Sequence, residues 1–241
     1  MKYIYVLYAL LTFILFFLAL LPFFFILSLF GAWGRKAIWR LVQGWSYVWF
    51  FLLGMRTRKI FEAPLDKNEE YIVVVNHISY IDVPIIFRAI PFFVRPLAKF
   101  ELGKIPLFGF LYRQLAVTID RANGKSKLEG SKQLKNTLEE GSSILIFPEG
   151  TFNETGAPLK SFYDGAFRIA LETQTPILPV VFLDALDIWN YKSFWSLKPG
   201  KNRVVFLPKV AVAPYGTDVK RLSAEVHRQM WDTINEYKKL P

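Results

Sequence analysis

The sequence predicts an α/β protein, in which a single mixed-sheet domain is flanked by helices and preceded by an N-terminal hydrophobic helical membrane segment. Two patterns lead to this prediction. From about residue 60 onward, short apolar runs alternate with helical stretches, as in a domain built around a largely buried sheet. Before that point, residues 3–30 carry no charge. We therefore expect a membrane segment over residues 1–58 and one soluble domain over residues 59–241.

Residues 3–30 form the first element. As a helix this segment is about 42 Å long, which exceeds the ~30 Å hydrocarbon thickness of a bilayer. A secretory signal is the competing interpretation. Its apolar region would span only about 7 to 15 residues and would lead to a small-residue cleavage site, and the sequence has neither feature. We expect the segment to be inserted in a membrane.

A second apolar segment covers residues 37–54 and contains three tryptophans. The first 60 residues hold seven basic side chains and no acidic one, whereas the remaining 181 hold 23 basic and 20 acidic ones. Because these basic residues flank apolar segments, they favour anionic lipid over nucleic acid as a partner. If only the first segment is inserted, the six basic residues that follow it lie on one side, as the positive-inside rule prefers. We therefore expect an interfacial second segment, an inner (cytoplasmic) membrane location and a domain that faces the cytosol.

The soluble domain is expected to alternate strands with helices. The predicted strands are 71–75, 115–119, 143–147, 177–183 and 203–212, and the predicted helices are roughly 80–90, 104–113, 125–139, 164–173 and 217–238.

The first candidate site follows the first of these strands, in "YIVVVNHISYID". His77 is expected where the buried strand ends, a usual place for sites in α/β folds. A turn after it would let the Asp82 carboxylate bind one ring nitrogen, leaving the other to accept a proton from a hydroxyl. Helix capping is the alternative, since Ser79-x-x-Asp82 resembles a capping box. From these residues alone both interpretations stay open.

A second polar turn, "FPEGT" at residues 147–151, follows another buried strand. Glu149 offers a carboxylate, Gly150 a backbone that a ligand can approach closely, and Thr151 a hydroxyl. The alternative is an ordinary turn from a strand into a loop. Basic residues accompany these turns and strand ends, and two or three of them together can hold a phosphate or a carboxylate. They are Lys99, Arg121 and Lys160.

Several kinds of catalytic machinery are missing from the sequence. The chain has no cysteine and two histidines, so a thiolate nucleophile, a disulfide and a multi-histidine metal site are excluded. No serine-nucleophile elbow, Walker loop or dinucleotide-binding glycine motif is present. Direct attack by a substrate hydroxyl is the chemistry that suits a lone His-Asp pair.

Four ordered blocks resemble the glycerolipid acyltransferases, and in particular the bacterial 1-acylglycerol-3-phosphate acyltransferases. Asn76-His77 with Asp82 resembles their N-H-x-x-x-x-D signature. "KFELGKIPLFGFLYRQLAVTIDR" (99–121), "FPEGT" (147–151) and "PILPV" (176–180) resemble the second, third and fourth blocks. The N-terminal pair of apolar segments is also similar.

The resemblance implies a reaction and a set of roles. His77 would deprotonate a free glycerol hydroxyl that attacks an acyl thioester, and Asp82 would orient it. The expected substrate-binding residues are Asn76, Lys99, Arg121, Glu149, Gly150, Thr151 and Lys160. The resemblance implies neither a metal nor another cofactor; acyl-CoA or acyl carrier protein would be the co-substrate, and a membrane lysophospholipid the acceptor.

One position departs from the family pattern, in which the third block continues with arginine, because this chain has Phe152. A cation that would help to bind phosphate is therefore absent there, and Arg168 or Lys160 would have to compensate. Acylation of another lysolipid, such as a lyso-amino-acid lipid, is the alternative function. A thioesterase and a non-catalytic lipid-binding protein are two further alternatives.

Overall fold

Two apolar helices begin the chain in the computed structural model, which describes residues 2–119 and 124–239. Helix α1 covers Lys2–Ser28 and α2 covers Gly31–Leu52. They run antiparallel, because the Tyr5 hydroxyl donates to the carbonyl of Leu53 (2.7 Å) and the Trp49 indole N–H donates to that of Ala9 (3.2 Å). Within the described residues, α1 is the one helix that is long and apolar enough to cross a membrane.

The tryptophans of this pair differ in exposure. Trp33 is exposed, whereas Trp39 and Trp45 are buried. Trp45 packs on Phe13 of α1, with ring centroids 4.7 Å apart. The aromatic face of α2 is therefore largely used in packing within the chain.

A seven-stranded sheet follows, with the strand order β1-β7-β6-β2-β5-β3-β4. Its strands are β1 Arg56–Phe61, β2 Ile72–Val75, β3 Val94–Lys99, β4 Val117–Ile119, β5 Ser143–Ile146, β6 Ile177–Phe182 and β7 Lys201–Phe206. The remaining α-helices are α3 Asp82–Ala89, α4 Phe108–Leu115, α5 Gly124–Glu139, α6 Gly165–Thr173, α7 Ala185–Ile188 and α8 Val219–Lys239.

β2 is a central strand, because it pairs in parallel with β5 on one side and β6 on the other. All four of its residues are buried, which is why the sequence there is a continuous run of isoleucine and valine. β3 pairs in parallel with both β5 and β4. The strands β2, β3, β4, β5 and β6 therefore all end at one edge of the sheet, where α/β proteins bind ligands.

The chain divides into two compact units. One contains residues Met1–Lys59, Ile78–Ile90 and Asp184–Val204, and the other contains Ile60–His77, Pro91–Leu183 and Val205–Pro241. The second unit holds the main apolar core, in which α6 and α8 bury Phe167, Leu222 and Met230. The predicted division at residue 58 into a membrane segment and a catalytic domain stays a prediction.

In the first unit, α3 packs on α2. The Gln43 side chain donates to the carbonyl of Ile90 (2.8 Å), and the rings of Trp39 and Phe87 lie 4.7 Å apart. The Arg88 guanidinium lies 3.7 Å from the centre of the Tyr47 ring, a cation–π contact. The helix that begins at Asp82 is thus packed directly on an N-terminal helix.

Candidate active site

The site begins where β2 ends, at Asn76. This residue is buried, and its amide makes two hydrogen bonds to the main chain of Phe182 in β6. The side chain donates to the Phe182 carbonyl (3.0 Å) and accepts from the Phe182 N–H (2.8 Å). Asn76 therefore extends the β2–β6 pairing by one residue and fixes the point where the chain leaves the sheet. Its predicted role in substrate binding stays a prediction.

His77 follows and is partly exposed. Its main chain is held on both sides by the loop after β5. The His77 N–H donates to Oε1 of Glu149 (2.9 Å), and the His77 carbonyl accepts from the N–H of Asn153 (2.8 Å). The first and third sequence blocks therefore meet directly.

Two phenylalanines contact the imidazole ring of His77. Phe147 stacks on it, with ring centroids 4.1 Å apart and an interplanar angle of 20°. Phe152 makes an edge-to-face contact at 4.3 Å and 62°. In the sequence Phe152 stands out only as a departure from the family pattern, and nothing there indicates that this side chain packs on the histidine.

Glu149 connects three parts of the site although its side chain is fully buried. Besides the His77 N–H at Oε1, its Oε2 accepts the main-chain N–H of Lys160 (2.9 Å). A buried carboxylate is costly unless hydrogen bonds compensate its lost hydration, and here two main-chain donors do so. The structure therefore gives Glu149 a positioning function, while its predicted contact with substrate stays a prediction.

The end of the loop presents polar groups to solvent. Gly150 has a φ of +74°, a backbone conformation that favours glycine. Thr151 is exposed, and its hydroxyl accepts a hydrogen bond from the Lys160 ammonium (2.9 Å). The loop thus carries a cation next to Phe152, the position where the family has its own.

The turn after His77 is organised by Asp82, which is fully buried. Its Oδ2 accepts the main-chain N–H groups of Ile78 (2.8 Å) and Ser79 (2.9 Å). Ser79 in turn donates its hydroxyl to the carbonyl of Trp189 and accepts the N–H of Ile81 (3.2 Å). These hydrogen bonds hold the turn that leads into α3, which begins at Asp82 with Ile81 as its N-cap and without a side-chain cap hydrogen bond, so the capping-box interpretation is not confirmed. The predicted contact between Asp82 and the His77 ring stays a prediction.

The second sequence block is described only in part. Lys99 is exposed and is the last residue of β3. Since β3 is parallel to β5, Lys99 leaves the sheet at the same edge as His77 and the FPEGT loop. Arg121, predicted to bind the phosphate, lies outside the described residues, and its role stays a prediction.

No cluster of three histidine, cysteine, aspartate or glutamate side chains that could hold a metal ion occurs within residues 2–119 and 124–239. The prediction that the reaction needs no cofactor is not tested by this.

The class of protein to which this chain belongs follows from its similarity to known proteins. The family model for acyltransferases matches residues 56–183. The chain belongs to this acyltransferase family.

Individual relatives carry a more specific name. The 1-acyl-sn-glycerol-3-phosphate acyltransferase of Helicobacter pylori is 31% identical over 159 residues, which cover 66% of this chain and 65% of that protein. The enzyme of the same name from Cocos nucifera is 37% identical over 130 residues, covering 53% of this chain and 42% of the relative. The 1-acyl-sn-glycerol-3-phosphate acyltransferase alpha of Mus musculus is 29% identical over 191 residues, which cover 77% of this chain and 66% of that protein. The chain therefore spans less than two thirds of the length of these relatives.

A solved structure confirms the predicted fold class. The crystal structure of the 1-acyl-sn-glycerophosphate (LPA) acyltransferase PlsC from Thermotoga maritima matches with a TM-score of 0.80 and 24% sequence identity. The match covers 99% of this chain and 98% of the other.

Proposed function

We propose that the protein transfers an acyl chain from an acyl thioester to the free hydroxyl of 1-acylglycerol-3-phosphate, which makes phosphatidic acid. His77 takes the proton of the hydroxyl as its oxygen attacks the thioester carbonyl. The new C–O bond forms, the C–S bond breaks, and the thiolate leaves and takes a proton from the imidazolium. The products are the diacyl lipid and a free thiol.

One observation carries this proposal: the His77 N–H is hydrogen-bonded to the buried carboxylate of Glu149. This contact fixes the histidine of the first block against the loop of the third block. A general base must lie within hydrogen-bond reach of the proton that it removes. Because the main chain of His77 is joined to the ends of both β2 and β5, the base stays in place while a lipid acceptor approaches.

Other residues take supporting roles in the proposal. Asp82 orients the imidazole through one ring nitrogen, and its buried carboxylate at the same time shapes the turn. Arg121, Lys99 and Lys160 bind the acceptor phosphate. The Lys160 ammonium donates a hydrogen bond to the Thr151 hydroxyl, which positions it in the loop. Arginine and lysine bind phosphate through charge-assisted hydrogen bonds, which are stronger than neutral ones.

The apolar helix α1 gives the reaction its location. A lysolipid acceptor and its diacyl product both reside in a membrane, and α1 is long and apolar enough to cross one. We place the protein in the cytoplasmic membrane with its catalytic unit facing the cytosol, from which acyl-CoA or acyl carrier protein delivers the acyl chain. The basic residues near the apolar helices also attract an acidic carrier protein.

Acylation of a different lysolipid is a second candidate function, and Phe152 favours it. This side chain supplies no charge where the family has a cation, and it packs on His77 instead. A neutral or zwitterionic acceptor group would therefore meet an aromatic ring at this position.

A panel of acceptors decides between these functions. Purified protein is incubated with one labelled acyl thioester and either lysophosphatidic acid, a lyso-amino-acid lipid, monoacylglycerol or no acceptor. Phosphatidic acid as the main product supports the proposal, and preferred acylation of another lysolipid supports the second function. Release of free fatty acid in every sample would identify a thioesterase and overturn both.

A further inference from the structure

Phe152 is partly buried and lies three residues beyond Glu149, and its ring contacts the imidazole of His77. The centroid distance of 4.3 Å and the angle of 62° describe an edge-to-face pair, an arrangement that aromatic rings favour. Phe147 contacts the same imidazole at 4.1 Å in a nearly parallel orientation. Two aromatic contacts of different geometry therefore restrict the imidazole plane.

We propose that Phe152 is a positioning residue for His77: its ring fixes the orientation of the imidazole in which a ring nitrogen meets the acceptor hydroxyl. The proposal rests on the proposed general-base function of His77. The terminal torsion of a histidine side chain is broad, with no sharply defined rotamer. The hydrogen bonds of Glu149 and Asn153 hold the main chain of His77, and the ring contacts of Phe147 and Phe152 restrict this torsion together with the proposed contact of Asp82.

Accurate placement of a reacting group contributes a large part of an enzyme's rate enhancement, and small displacements of that group lower the rate strongly. Phe152 acts through His77 and does not itself bind the acceptor phosphate. Removal of its ring therefore lowers kcat and leaves KM for the acceptor unchanged. An aromatic pair stabilises its preferred geometry by an amount equivalent to about a two- to tenfold change in rate. A leucine at position 152 fills much of the same space without supplying a ring.

The chain contains a matched control for this substitution. Phe162 is also partly buried and also makes an edge-to-face contact with a histidine, His227 of α8, at 4.8 Å and 70°. His227 has no part in the proposed reaction. Phe162→Leu therefore removes the same kind of contact at the other histidine of the chain.

The kinetic experiment compares Phe152→Leu, Phe152→Tyr and Phe162→Leu with the wild-type protein, using lysophosphatidic acid as the acceptor. We expect kcat to fall about three- to tenfold in Phe152→Leu with KM for acceptor and thioester within twofold. Phe152→Tyr keeps a ring and restores kcat, and Phe162→Leu leaves kcat unchanged. A Phe152→Leu variant with normal kcat, or with a change confined to KM, would overturn the positioning role.

A spectroscopic measurement tests the same contact without any reaction. The protein has two histidines, so selective labelling of their rings gives two sets of NMR signals, which His227→Gln assigns. Ring currents from Phe152 shift the signals of His77. Phe152→Leu should move the His77 signals alone, and Phe162→Leu should move those of His227 alone. Unchanged His77 signals in Phe152→Leu would overturn the inference even with acyl transfer established, whereas failure of every acceptor in the panel would overturn the proposed function with the contact intact.

Discussion

The main-chain N–H of His77 donates a hydrogen bond of 2.9 Å to the buried carboxylate of Glu149, 72 residues further along the chain. The second oxygen of that carboxylate accepts the N–H of Lys160. The Glu149 side chain thus joins the end of β2 to Lys160, which lies further along the loop that follows β5.

Replacing Glu149 should lower the thermal stability of the protein and also its rate of acyl transfer. Glu149→Ala removes the charged acceptor of two main-chain hydrogen bonds, which costs about 3 kcal/mol or more. For a chain of this size, that corresponds to a Tm lower by about 6 °C or more. Glu149→Gln keeps one acceptor oxygen and should lose less. Thermal unfolding in detergent measures both variants, and a Tm of Glu149→Ala equal to that of the wild type would show that these hydrogen bonds do not stabilise the fold.

Asp82 accepts two main-chain hydrogen bonds in the turn after His77 and has a proposed catalytic role, and two substitutions separate these functions. Asp82→Asn keeps an oxygen that can accept the N–H groups of Ile78 and Ser79 but removes the charge. We expect its Tm to fall by only about 2–4 °C, as for the loss of about 1 kcal/mol, while turnover falls about 100-fold or more. Asp82→Ala should lose turnover and also both hydrogen bonds of the turn, each worth about 1.5–3 kcal/mol.

Turnover and unfolding are measured on the same preparations of both Asp82 variants. If Asp82→Asn turned over substrate at nearly the wild-type rate, only the structural role of Asp82 in the turn would remain.

Lys160 tests the proposed phosphate site. Its ammonium lies on the loop beside Phe152 and is partly exposed, so its attraction for phosphate is partly screened. Lys160→Ala should raise the apparent KM for lysophosphatidic acid about three- to tenfold, with little change for the thioester or for uncharged monoacylglycerol. Arg121→Ala should act in the same direction and more strongly.

Lys220→Ala is the control for the Lys160 measurement, because Lys220 is exposed and pairs with Asp164 (2.9 Å). Equal effects of Lys160→Ala on charged and uncharged acceptors would remove the support for a phosphomonoester acceptor and would favour another lysolipid.

A single substitution can test whether helix α1 is inserted in the membrane. Leu15 lies near the middle of the helix and is 56% exposed, so an arginine there does not disturb the packing on α2. A charge at the centre of a spanning helix costs about 2.5–3.5 kcal/mol in insertion. Leu15→Arg should therefore be released from membranes by carbonate to a greater extent than the wild type. Thr217→Arg adds the same charge at an exposed position outside α1 and should stay bound.

Five of the seven strands were predictable from the sequence, whereas β1 and β3 were not. β2 and β5 are buried on both faces, and their uninterrupted apolar residues identify them. β1 reads "RTRKIF" and is only half-buried, so its charges make it look like a linker after the membrane segment. β3 contains Pro96 and two basic residues, which the sequence pattern of a buried strand excludes.

The predicted boundaries of one strand were also wrong. The strand expected at 203–212 occupies Lys201–Phe206, and the apolar residues after it, such as Val210 and Val212, are buried outside the regular strand. Burial alone therefore does not distinguish a strand from the loop that follows it.

At the site, the motifs located the residues but not their contacts. A sequence indicates that Glu149 follows a strand, yet it does not indicate that the carboxylate points into the protein toward main-chain donors. The packing of Phe152 on His77 is a contact between residues 75 positions apart, and no local pattern encodes such a contact.

The most direct test of the account is the rate of acyl transfer from a labelled thioester to lysophosphatidic acid by His77→Ala. The variant should stay folded and membrane-associated while turnover falls about 10²–10⁴-fold, the usual contribution of a general base. His227→Ala, which removes the other histidine, should retain turnover. A His77→Ala protein that transfers acyl chains at nearly the wild-type rate would contradict the proposed mechanism.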